Sequence, residues 1–174
     1  MRTKNRHFPA TKGRALIVGY GNPYCRDDGV ALFVINALRK ASGVRELSPE
    51  EDGLDELGHD PDTVMLHQIV PEMTSVIAPY QTLVFVDAHE GIIPDPVRII
   101  TVQEEYGFHA VSHHMSPGML LGLARKSQGA SPEGYLVSIK GEDFDFGLGL
   151  SEACLGRVET AVLKIREILR GGEA

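Results

Sequence analysis

The stretch ALIVGYGNPYCRDDGVALFVINALRK, residues 15–40, decides how this chain folds. Its first part, Ala15-Leu16-Ile17-Val18, is a short unbroken apolar run closed by Gly19 and Gly21, the pattern of a strand buried on both faces. After a polar loop, Val30, Ala31, Val34, Ile35 and Leu38 recur at helical spacing. Arg39 and Lys40 suit the carboxyl end of the helix dipole, and Gly43 is placed to stop the helix.

The same alternation continues outward from there. Residues 64–69 read as a second strand, and Pro71 can open a short helix with Glu72 in its first turn. Leu83-Val84-Phe85-Val86 is the clearest buried strand and is expected to end at Asp87. Val97 to Val102 is a fourth strand and Tyr135 to Ile139 a fifth. Ser116 as N-cap with Pro117 at the first helical position starts a helix carrying Leu120, Leu121, Leu123 and Ala124. Ser151 caps a last helix whose Leu155, Val158, Val162, Ile165 and Leu169 step by three and four, an expected core-facing stripe.

Strands alternating with helices predict an α/β fold, a three-layer αβα sandwich. Its centre is an open, mostly parallel, five-stranded twisted sheet with helices on both faces, in which one edge strand can run antiparallel. One domain is expected over residues 14–170, between a basic N-terminal tail, 1–13, and a C-terminal tail, 171–174. Residues 44–62, with eight acidic side chains and one Arg, have little periodicity and are read as a mobile acidic excursion inserted between elements.

Bulk properties narrow the function classes. Of the 174 residues, 43% are hydrophobic and 24% charged, ordinary for a globular domain. A formal charge of −7 argues against non-specific nucleic-acid binding. No apolar run approaches a bilayer span, and the charged start lacks the apolar region of a secretory signal. Cys25 and Cys154, the two cysteines, are therefore expected as free thiols in a reducing, cytoplasmic setting.

In open sheets of this kind the working crevice lies beyond the carboxyl ends of the strands. Three places meet that rule: Asp27-Asp28 after the first strand, Asp87 after the central one, and His113-His114 before the third helix. Two carboxylates and an imidazole suit zinc, nickel or iron, and three protein ligands leave coordination positions open. Each member also has a plain alternative. Asp27-Asp28 can serve as helix N-terminal charge, Asp87 can make a turn, and a His is often structural. His109 and His113 are four apart, but Gly107 and Pro117 bracket them as a loop. Gly19-x-Gly21 is not a dinucleotide fingerprint, because Tyr24 stands where the third Gly belongs. Cys25 lies beside the suspected site, and nothing in the sequence stabilises its thiolate.

The motifs GYGNPYCRDDGVALFVINAL, LVFVDAHEGIIPDPVRI and SHHMSPGMLLGLA, in this order, resemble the nickel–iron hydrogenase maturation endopeptidases. HQIVPEM and YLVSIKGEDFDFGLGLS extend the likeness over roughly residues 14–170. The resemblance implies a metal-dependent endopeptidase with Asp28, Asp87 and His113 as metal-binding and catalytic residues, and His114 as the alternative ligand if the loop register shifts by one. It implies removal of a C-terminal peptide from a hydrogenase large-subunit precursor, the partner. The nickel arrives with that precursor as the recognition signal, and no organic cofactor, nucleic acid or membrane takes part. Gly19, Gly21 and Asn22 are expected to shape the loop presenting Asp28 and, with His114, to face the substrate. Phe144 and Phe146 either frame the substrate tail or pack into the core. The alternative function is a nickel-dependent chaperone that docks the precursor without cutting it.

Overall fold

Five apolar runs pair into one sheet in the order β2-β1-β3-β5-β4. The computed structural model describes residues 14–107 and 114–171. The strands are β1 Ala15–Tyr20, β2 Asp62–Leu66, β3 Thr82–Glu90, β4 Val97–Val102 and β5 Glu133–Gly141. The β1–β2, β1–β3 and β3–β5 pairs are parallel, and β4 lies antiparallel on β5 at one edge. The helices are α1 Val30–Ala41, α2 Met73–Ile77, α3 Pro117–Gln128 and α4 Glu152–Leu169.

Because side chains alternate across a strand, each face of the sheet builds its own core. Ile17, Val84, Val86, Val137 and Ile139 meet α1 and α4, including Val34, Ile35, Cys154, Ala161 and Ile165. Leu16, Val18, Leu83 and Phe85 meet α2 and α3, including Met73, Ile77, Leu120, Leu121 and Ala124. These two cores make the three-layer αβα sandwich that the alternation of elements predicts.

Local signals set the helix ends. Ser116 Oγ accepts from Met119 N at 3.1 Å with Pro117 following, and Ser151 Oγ accepts from Cys154 N at 3.2 Å. Gly43, beyond α1, has φ +70°, a left-handed conformation that costs Gly little. Two glycines in α3 allow a close approach. A Cβ on Gly122 would meet the Glu105 carbonyl oxygen at 2.2 Å, and one on Gly118 the Gln103 carbonyl oxygen at 2.6 Å. Segment 103–107 therefore lies directly against the helix backbone.

Several expectations shift. The second strand starts at Asp62, not 64, and ends at Leu66. The short helix forms from Met73, after a turn at Pro71 and Glu72. The central strand does not end at Asp87; it runs on to Glu90. On α4, Leu155 is 52% exposed and the buried stripe is carried by Cys154, Ala161, Val162 and Ile165. Cys154 sits one position before Leu155, so the stripe enters the core one residue earlier than the Leu spacing suggests.

The acidic stretch 44–62 is tied to the domain by Arg39 and braced internally by Arg45. Arg39, at the end of α1, is 2% exposed. It donates to the Arg45 carbonyl at 2.5 Å and to Thr63 Oγ1 at 3.0 Å, and it pairs with Glu56. Arg45 pairs with Glu51 and Glu56. Leu47 is buried, and Asn36 holds both its N–H and its carbonyl. Met65 N donates to the Asp52 carbonyl at 2.9 Å, which sets the stretch along the outer edge of β2. Asp62, fully buried, accepts from Tyr80 Oη, from Gly58 and His59 N–H groups, and pairs with Arg14.

Candidate active site

The loop leaving β1 is wound tightly enough to aim a carboxylate back over the sheet. Gly21 has φ +133°, and a Cβ there would lie 2.1 Å from the Asp28 carbonyl oxygen, so only Gly fits both the conformation and the space. Asn22 N donates to Asp28 Oδ2 at 2.7 Å, and Asn22 Oδ1 accepts from Tyr24 N at 3.0 Å. Asn22 Nδ2 reaches Cys25 Sγ at 3.3 Å. The turn Arg26–Gly29 is 3-10, and Gly29 then caps α1 without a side-chain bond. Gly19 plays a different part, since its missing Cβ lets Ile35 of α1 close on the strand at 2.6 Å from the Cβ position.

The adjacent carboxylates Asp27 and Asp28 have separate roles. Asp27 is fully buried and accepts from Glu142 N, Asp143 N, Ser151 N and Ser151 Oγ at 2.7–3.0 Å. Burial alone would raise its pKa, but these donors outweigh burial and hold it below the ordinary carboxylate range. Asp27 is therefore the fastener between the site loop and the 141–151 loop, while Asp28 remains half-exposed.

Asp87 lies on β3 beside Tyr20 of β1. Its pKa is raised to about 7. Burial is the main cause and the nearby charge of Asp28 adds to it, opposed by hydrogen bonds from Tyr20 and from Ala88 N at 2.8 Å. Burial and Asp87 together also push the Tyr20 phenol upward, so that hydroxyl stays a donor. Asp28 and Asp87 are thus within electrostatic reach of each other at the carboxyl edge. Each anchors a carboxylate oxygen on a backbone N–H. A like-charged, half-buried pair of this kind is relieved by a cation, and its hard oxygen donors fit a divalent one.

His113, the third expected ligand, lies outside the described residues, as do His109 and tail 1–13. Among the described residues no group of three His, Cys, Asp or Glu side chains could hold a metal ion. His114 is described and exposed, two residues before the N-cap of α3. The first turn of α3 packs on Gln103, the residue after Val102, and Val102 pairs with Gly134 near the amino end of β5.

On the side of the loop towards β2, a pocket of about 290 Å³ opens beside Gly21 and Pro23, walled by 49–52 of the acidic stretch and by 65–68 and Val70; neither Asp28 nor Asp87 lines it. On the other flank, Gly147 bridges to Cys25 and exchanges backbone bonds with Tyr24 and Arg26. Sequence reasoning left Phe144 and Phe146 open, and they part company. Phe144 packs where a Gly141 Cβ would stand, whereas Phe146 is 83% exposed, near exposed Leu148. Sequence reasoning missed Tyr20, whose place opposite Asp87 depends on strand register, and Ser138 and His89, discussed below. Cys25 and Cys154 are free thiols, and burial pushes Cys154 up to about 12.

No family model matches the chain. No curated protein matches it in sequence. Solved structures do match. The hydrogenase maturating endopeptidase HybD from E. coli superposes with a TM-score of 0.65 at 19% identity, covering 92% of this chain and 94% of that one. A [NiFe] hydrogenase maturation protease HybD from Thermococcus kodakarensis gives 0.59 at 20% identity, over 90% and 99%. A hydrogenase 2 maturation peptidase from a Thaumarchaeota archaeon gives 0.60 at 22% identity, over 92% and 99%. Over nearly its whole length, this chain has the fold of the solved hydrogenase maturation endopeptidases.

Proposed function

We propose that this protein is an endopeptidase that removes the C-terminal extension of a nickel–iron hydrogenase large-subunit precursor once nickel has been inserted. The observation that carries the reading is the carboxylate pair, Asp28 from the turn after β1 and Asp87 from β3, close enough for one charge to act on the other. The fold shared with maturation proteases and the ordered motifs in the sequence support it.

In this reading the nickel is part of the substrate. Asp28, Asp87 and His113 complete its coordination shell, and docking places the scissile amide over the site. The cation holds both carboxylates ionised, since it becomes the largest local charge. A metal with an open position polarises the amide carbonyl or lowers the pKa of a bound water, which is what hydrolysis of a stable amide requires. The pocket beside Gly21 and the exposed Phe146 and Leu148 provide apolar and polar surface for a polypeptide on both flanks. Gly21 and Asn22 contribute as loop formers and His114 as a substrate neighbour, while Gly19 supports them by letting α1 close on β1. No helix among the described residues is long and apolar enough to cross a membrane, and a cytoplasmic setting is part of the proposal.

The test is to incubate the protein with nickel-loaded and nickel-free precursor and follow loss of the tail by mass spectrometry. Cleavage of the loaded form alone is expected. Docking without cleavage would instead make the protein a nickel-dependent chaperone. Asp28→Ala, Asp87→Ala and His113→Ala should each lower processing at least about a hundredfold, the scale for losing a group that acts at the reacting centre. Normal processing by His113→Ala with loss in His114→Ala would move the imidazole ligand by one residue.

A further inference from the structure

The face of the sheet that packs on α2 and α3 changes character at a single rung. Going towards the carboxyl edge, Leu83, Gly134 and Val102 lie side by side across β3, β5 and β4, and then Phe85, Leu136 and Ile100. The next rung is Asp87, Ser138 and Arg98, and the one beyond it pairs His89 with Lys140. Directly paired residues share a face, so these five polar side chains form one floor extending from Asp87 towards β4.

The floor is cationic away from Asp87. His89 Nδ1 and Ser138 Oγ are 2.8 Å apart, and His89 Nε2 is buried with no partner among the described residues. Arg98 and Lys140 both stand close enough to act on the His89 ring, and neither forms an ion pair with a described carboxylate. Arg157 is engaged elsewhere, on the Lys140 carbonyl and Glu142. Two cations on the face that carries Ser138 and His89, without an ion pair among the described residues, suit an anion.

We propose that Arg98 and Lys140, with His89 and Ser138 beneath them, bind a carboxylate of the precursor's C-terminal segment and so set the direction in which that segment lies across the site. This inference rests on the endopeptidase reading. The metal docks at the Asp28–Asp87 end of the floor, and the carboxylate is gripped two strands across at Arg98 and one rung further on at Lys140. The anion is either an acidic side chain of the segment or its chain terminus; the chemistry is the same. Binding here is exposed enough to be weakened by salt.

The experiment compares wild type with the Arg98→Gln/Lys140→Gln double variant on nickel-loaded precursors. In these, acidic residues of the segment are changed one at a time to the amide, or the chain terminus is amidated by ligation. The double variant should raise KM about tenfold with kcat within twofold, and the gap should narrow in 0.5 M salt. One neutralised precursor should show the same rise on wild type and none on the double variant, which identifies the carboxylate. An unchanged KM, or a loss confined to kcat, overturns the proposal, as does the absence of coupling with every neutralised precursor. A readout independent of cleavage keeps the two readings apart. Titrating labelled protein with N-acetylglutamate amide, and with its glutamine counterpart, should move the Arg98, Ser138 and Lys140 amide resonances with the glutamate compound alone. If wild type cleaves nothing but these resonances respond, the endopeptidase reading fails and the anion site stands. If it cleaves and they do not respond, the anion site fails.

Discussion

At the residue scale, Asp27 and Asp87 carry opposite pKa shifts and should oppose each other in stability. Asp87 in the metal-free protein is raised to about 7, so the folded state holds a proton that the unfolded chain releases near pH 4. Its ionisation therefore costs stability as pH rises from about 4 to 7, and the cost stays above that range. Asp87→Asn removes the cost. Its unfolding free energy in urea titrations should exceed that of wild type at pH 8 by about 2 kcal/mol, a value discounted for partial exposure, and converge with wild type near pH 3.5. Asp27 is lowered, so its contribution is present above the unfolded pKa and lost as pH falls through the folded one. Asp27→Asn should destabilise by about 2–4 kcal/mol at pH 7 because it breaks a buried, fully paired acceptor. The difference from wild type should shrink in acid. The sequence marks Asp27 and Asp28 as equivalent neighbours. Their division of labour depends on donors at 142, 143 and 151, which no local pattern reveals.

At the element scale, contact between α3 and segment 103–107 positions the lead-in to the residues that carry His113. Gly122→Ala would push a methyl into the Glu105 carbonyl. It should cost about 1–3 kcal/mol in urea denaturation and lower processing, because that lead-in moves with the segment. Most elements were legible in the sequence because their cores are simple. Each strand has an apolar run, α1 buries the residues its spacing predicts, and α3 buries Leu120, Leu121 and Ala124 with Leu123 half-buried. The carboxyl end of β3 was not legible. Asp87, Ala88, His89 and Glu90 look like a loop because polarity there serves the site, yet pairing with Ser138 to Gly141 keeps them extended. Leu155 misled for a related reason: hydrophobicity marks a helix face only to within one residue, and Cys154, a small apolar side chain, took the buried place.

At the scale of the whole molecule, the acidic stretch 44–62 depends on a cation from another element. Arg39→Met should destabilise by about 1–3 kcal/mol, since it leaves the Arg45 carbonyl and Thr63 Oγ1 without their donor and Glu56 with Arg45 alone. Hydrogen exchange should then accelerate across 45–57 while the β3 and β5 amides stay protected. The net charge of that stretch was visible in the sequence. Its anchorage was not, because Arg39 reads as an ordinary basic residue at a helix end and its burial appears only when Thr63 and Arg45 are brought beside it.

The hydrogen bond from Met65 to Asp52 has a consequence for how copies of this chain meet. An open sheet has two borders, and a border strand with free backbone groups invites another chain to add to it. At Met65 of β2 that vacancy is taken by the protein's own backbone, in a stretch whose net negative charge repels its counterpart on an approaching twin. Fibre-like stacking is thereby discouraged at that margin without any helix having to cover it.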